Sequence, residues 1–159
     1  MIAEVIHPST GERYTMDIPN LRESDLAAMQ QEYASQQRID AFIGQLPVSA
    51  EVKALLSNIA RFTVSVGKTL VAVGKRLVSF AMLLVNKYPN ATLGLIMGAL
   101  LGSLIVMVPW IGPAIGALLK PLLMAFGLTK GFLDDLRGDQ PKLAGDIQAA
   151  TQVFEPLAG

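Results

Sequence analysis

From Val52 onward the apolar positions recur every seven residues through five consecutive blocks, VKALLSN, IARFTVS, VGKTLVA, VGKRLVS and FAMLLVN. The first column reads Val52, Ile59, Val66, Val73, Phe80 and the fifth reads Leu56, Thr63, Leu70, Leu77, Leu84. Spacings that alternate between four and three form the seam of a left-handed coiled coil. A sixth column, Val64, Val71, Val78 and Val85, widens the stripe beyond what a pair of helices needs and favours more than two strands. The pattern predicts one helix over residues 49–88, ~60 Å long at 1.5 Å per residue. Ser49 is placed to cap it, with Glu51 in the first turn where the helix dipole favours an acid. The second column is small (Ala60, Gly67, Gly74, Ala81), which lets a neighbouring helix approach closely, so Gly67 and Gly74 are read as oligomer-packing positions.

Other stretches have different periods. Residues 3–18 alternate around Pro8-Ser9-Thr10-Gly11, which predicts two short strands joined by a turn, with His7 as a polar residue beside that turn. Residues 21–46 predict a largely polar helix ended by Pro47. Residues 91–108, ATLGLIMGALLGSLIVMV, are eighteen residues without a charge, near the lower limit for crossing a ~30 Å hydrocarbon layer. Gly94, Gly98 and Gly102 share one face of this segment and form a glycine zipper, a further oligomer-packing row. Pro109-Trp110-Ile111-Gly112-Pro113 is an uncharged turn in which Trp110 suits an interfacial anchor. The return stretch, 114–133, is broken by Lys120-Pro121, and a lysine at that depth should face a cavity, a partner or a headgroup. The tail opens with the loop-like DDLRGDQPK, and a short amphipathic helix over 142–153 follows.

Four segments result: 1–47, an acidic β-hairpin plus helix; 48–88, the basic heptad helix; 89–133, the helical hairpin; and 134–159, an acidic tail. The expected fold class is an all-α membrane protein. A long heptad-repeat helix precedes a glycine-zipper transmembrane helical hairpin, and a small β-hairpin stands at the N-terminus.

Charge sharpens this picture. Hydrophobic residues make up 52% of the chain and charged ones only 16%, against about 25% in typical globular domains. The net charge of zero hides a segregation: residues 1–51 hold eight acids and three bases, whereas residues 52–133 hold eight bases and no acid. Arg61, Lys68 and Lys75 fall in one heptad column and, with Lys120, are candidate lumen-facing or headgroup-facing residues. Bases on both sides of the hairpin put both termini in the cytoplasm of a bacterial inner membrane.

Candidate chemistry is sparse. With no Cys and one His there are few parts for a metal centre or a nucleophilic triad, and neither metal nor cofactor is expected. Gly67-Lys68-Thr69 resembles the end of a phosphate loop, but the earlier glycine such a loop requires is Phe62. No enzyme is expected. The leading functional expectation is a homo-oligomeric integral membrane protein above a dimer, forming a ring-like channel, pore or conduit with a basic lining. A nucleic acid would enter only as a backbone passing through. The alternatives are a membrane-anchored scaffold that recruits a soluble protein partner at 1–47, and a phage-type membrane or DNA-delivery component.

Overall fold

In a computed structural model describing residues 1–31, 34–129 and 131–159, the N-terminal alternation folds into a hairpin of β1 (Ile2–Ile6) and β2 (Arg13–Asp17). The strands are antiparallel, in a register running from Ile2↔Asp17 to Ile6↔Arg13. His7 closes the turn: its Nδ1 accepts the Ser9 and Thr10 N–H groups, each at 3.1 Å. Residues 21–46 are two helices rather than one, α1 (Glu23–Met29) and α2 (Gln36–Gln45), the second capped by Ser35, whose hydroxyl accepts the Arg38 N–H at 3.2 Å.

Ser49 caps α3 (Ala50–Ala60) as the sequence suggests, accepting the Val52 N–H at 3.2 Å. The long heptad helix then stops. Residues 64–71 form a second hairpin, β3 (Val64–Val66) and β4 (Thr69–Val71), before α4 (Val73–Lys87) resumes the helix. The segment Thr63-Val-Ser-Val is rich in β-branched residues, which suit a half-buried strand better than a helix interior. Gly67 takes φ +59° at the first position of the two-residue turn, a conformation cheap for glycine alone. The heptad pattern therefore conceals a period of two: Val64, Val66 and Val71 are buried while Leu70 points outward. The two hairpins join into one antiparallel sheet of order β2-β1-β3-β4, because β1 also pairs with β3.

The uncharged segment becomes α5 (Leu93–Met107), capped by Thr92, and the return stretch becomes α6 (Gly112–Ala125) with Pro121 inside it. A 3-10 turn at Pro109–Ile111 separates them with a bend of 117°. The tail is helical from its start, as α7 (Phe132–Asp139) and α8 (Pro141–Thr151), and ends in a 3-10 turn over Gln152–Ala158. The loop expected at DDLRGDQPK is thus mostly α7.

Helix α5 forms the centre of the fold. It packs on α4, α6, α7 and α8, and Ile96, Met97, Ala99, Leu100, Leu101 and Leu104 are all shielded from solvent. A helix covered over most of its surface by protein is apolar nearly all round, as a bilayer helix is. Length separates the two cases. Fifteen residues span ~22 Å, short of the ~30 Å of a hydrocarbon core.

The expected all-α membrane class is therefore corrected. The described residues form eight α-helices and a four-stranded antiparallel sheet, and among them no single helix is long and apolar enough to cross a membrane. The bent pair α5–α6 meets the length and composition only when its two arms are counted together. The descriptions membrane, transmembrane helix and channel lose their basis with that class. The coiled coil goes too, since the five heptads are split between α3, a β-hairpin and α4.

Candidate interaction surface

The four-stranded sheet has one covered face and one open face, and its register assigns each side chain to one of them. Ala3, Val5, Val64, Val66 and Val71 point inward and are buried. On the outer face, Ile2 stands opposite Asp17, Glu4 opposite Thr15, and Ile6 opposite Arg13. Across β1, Glu4 is level with Ser65, which pairs with Leu70 on β4. The face therefore has a central row, Thr15–Glu4–Ser65–Leu70, flanked by Arg13 and Ile6 on one side and Asp17 and Ile2 on the other.

Three large apolar side chains stand open to water on this face. Ile2 is 55% exposed, Ile6 50% and Leu70 62%. Single exposed apolar residues need no explanation, and three on one small sheet face make it a candidate contact surface. The charges around them are only loosely held within the chain. Arg13 lies 3.5 Å from Glu4 and Asp17 3.7 Å from the N-terminal ammonium, with about two-thirds of each side chain in water.

Where β3 begins, the β1–β3 ladder ends at Glu4↔Ser65 while β1 runs on to Ile6. The strands part there around a cleft of about 340 Å³ lined by Glu4, Ile6, Asn58, Arg61, Thr63 and Ser65. A second concavity, about 780 Å³, lies where α7, α8 and the C-terminal turn leave part of α5 uncovered. Its lining includes Val106, Met107, Arg137 and Glu155.

The basic column read from the sequence is dispersed. Arg61 ends α3 and lines the smaller cleft, Lys68 is exposed in the β3–β4 turn, and Lys75 is half-buried in the first turn of α4. Lys120 is exposed on α6 beside Pro121. The glycine row of α5 receives side chains of its own chain: Gly94 faces Phe126, Gly98 faces Leu123, Leu128 and Phe132, and Gly102 faces Leu133. Gly74 admits the backbone of Ile59, bringing α4 against the end of α3, and Gly67 supplies only the turn. Trp110 is half-buried, and its indole Nε1–H donates to the Leu157 carbonyl at 2.6 Å, tying the bend between α5 and α6 to the C-terminal turn.

Two titrating clusters stand out, and both are structural. The Asp146 carboxylate accepts from Lys87 Nζ at 2.8 Å and from the Tyr88 hydroxyl at 2.5 Å, joining the end of α4 to α8. The Lys87 hydrogen bond, then that of Tyr88, holds the Asp146 pKa below its ordinary value, and the carboxylate in turn raises both partners. Near the first hairpin the Tyr14 hydroxyl donates to Glu12 at 2.7 Å, which raises the phenol pKa. Arg76, buried in α4, donates to the carbonyls of Ala28 and Gln31, while Ser79 accepts the Ala34 N–H at 3.0 Å. These two side chains anchor the connection between α1 and α2. Among the described residues no group of three or more His, Cys, Asp or Glu side chains converges in a metal-binding arrangement.

The residues of the open face escaped the sequence reading. The available signal was β1 itself, IAEVI, in which Ile2 and Ile6 are apolar on the opposite face from Ala3 and Val5. Leu70 fits a heptad column equally well, which hides its place on the sheet. Comparison with protein-family models, with curated proteins and with solved structures finds no match.

Proposed function

We propose that this chain is a non-catalytic interaction module whose contact surface is the outer face of the four-stranded sheet. The observation that carries the reading is the exposure of Ile2, Ile6 and Leu70 on that one face, set around Glu4 and Ser65 and beside charges that have little intramolecular engagement. Fully burying an isoleucine or leucine side chain contributes about 1.5–3 kcal/mol, and with 50–62% of each still exposed these three have roughly half of that each to gain on association. The reading narrows the scaffold expected from the sequence. The acidic N-terminal region offers a partner its sheet face, with β3 and β4 from the basic middle completing that surface.

Contact with a lipid surface from outside is the second reading, favoured by Met124, which is 74% exposed on α6. Photo-crosslinking with a benzoylphenylalanine at Thr15, at Met124 on α6 or at Gln37 on α2 tests both readings in one experiment in the producing cell. Discrete protein adducts from Thr15 and none from Gln37 are the expected result. Lipid adducts from Met124 with a silent Thr15 would transfer the function to the α6 surface. Equal labelling from Thr15 and Gln37 would overturn the sheet face as a contact surface.

A further inference from the structure

We infer that the occupant of the open sheet face is a second copy of this chain, paired about a two-fold axis that crosses the strands along the Thr15–Glu4–Ser65–Leu70 row. The inference rests on the reading of that face as a contact surface and identifies the partner. Its basis is the way the register distributes charge. Arg13 and Ile6 lie on one side of the row, and Asp17 and Ile2 lie on the other, along the same two strands. A half-turn about the row exchanges the two sides. It lays Arg13 on the partner's Asp17, Ile6 on the partner's Ile2, and Leu70 beside the partner's Leu70. On β1 and β2 each charged flank meets its opposite and each apolar flank meets an apolar one, the self-complementarity a two-fold interface requires.

Other arrangements of the same face do less well. An axis along the strands lays Arg13 over the β4 end of the sheet, and no acid stands there because residues 52–133 contain none. The two Glu4 carboxylates come nearest the proposed axis. Each is drawn toward its own Arg13, 3.5 Å away, and these pulls act on opposite sides of the axis and separate them. Arg13 then bridges its own Glu4 and the partner's Asp17.

The size of the face sets the strength of the pair. Two strands of five residues and two of three, at ~4.8 Å spacing and ~3.4 Å per residue, make a patch of roughly 260 Å² in plan. Stable complexes bury about 800 Å² on each partner, so this pair is transient and concentration-dependent. Such a pair suits a module that assembles where it is locally concentrated.

The test is sedimentation equilibrium of the full chain from low to high micromolar concentration, with charge-swapped variants. The wild type is expected to follow a monomer–dimer equilibrium. Asp17→Arg sets Arg against Arg, Arg13→Asp sets Asp against Asp, and each should raise Kd by about tenfold or more. An equimolar mixture of the two variants restores both contacts in a heterodimer and should return Kd to within about threefold of wild type. Both positions are exposed, so circular dichroism should show each variant folded. If the mixture associates no more tightly than either variant alone, or if the single variants dimerise like wild type, the two-fold pairing is overturned. A wild type that stays monomeric throughout also overturns it. Protein adducts from Thr15 would in those cases still uphold the contact surface with a different partner.

Discussion

At Gly74 the missing side chain makes room for a main-chain contact between two helices. A Cβ there would collide with the carbonyl oxygen of Ile59 and would stand 3.0 Å from the Phe62 nitrogen, while the Gly74 N–H itself donates to the Phe62 carbonyl at 2.8 Å. Backbone cannot swing aside as a flexible side chain can, so Gly74→Ala must move α4 away from α3. The expected cost is about 1–3 kcal/mol or more, the usual range for overpacking. Gly116, within α6, has nothing within 4 Å of where its Cβ would lie. There the same substitution should add about 0.5–1 kcal/mol by removing backbone freedom from the unfolded chain. Urea unfolding of the two variants checks the pair. Equal and small shifts would mean that the close approach at Gly74 is not present. Both glycines lie in apolar stretches, and nothing in the sequence tells the crowded one from the open one.

The elements are joined by a few polar links, and the one between α4 and α8 gives a pH-dependent prediction. Asp146 has its pKa lowered from 3.8 by Lys87 and Tyr88, so its contribution is present above that pH and is lost as pH falls through the lower folded value. Lys87 and Tyr88 have theirs raised from 10.5 and 10.0, so their contribution is present below those values and fades as pH rises through the higher folded ones. Asp146→Asn should therefore lower the urea midpoint at neutral pH and converge with wild type in strong acid and in strong alkali. A difference independent of pH would show that the link acts through packing alone. Legibility also varied by element. The first hairpin was readable because Pro8–Gly11 supplies turn chemistry between two alternating runs. The second was not, because Val64, Val66, Val71 and Val73 satisfy a period of two and the heptad columns together, and only Gly67-Lys68 marks the turn. Helix α7 was missed since its charged DDLRGD reads as a solvated loop until Phe132 and Leu136 are seen buried beside α5. The candidate face was illegible for a related reason: it exists only once residues 2–17 and 64–71 are brought into one sheet.

For the whole molecule, the central place of α5 makes the chain one cooperative unit. Helices α4, α6, α7 and α8 all rest on it, and the indole of Trp110 fastens its far end to the C-terminal turn through Leu157. Sequence alone identified this helix as the most apolar part of the chain but gave it the wrong surroundings, because burial in protein and burial in lipid select the same residues. Leu101 lies at 0% exposure in its middle. Leu101→Ala removes three heavy atoms from a site shared by several elements, and such substitutions cost about 2–5 kcal/mol. At roughly 2–4 °C per kcal/mol for a chain of this size, Tm should fall by about 4–20 °C. Trp110 is the sole tryptophan, so its fluorescence reports the bend between α5 and α6 while far-ultraviolet circular dichroism reports all the helices. If α5 unites the fold, both signals fall together in wild type and variant alike. A tryptophan transition that precedes loss of helix would instead show that the bend and the C-terminal turn open first, leaving the remaining helices a core of their own.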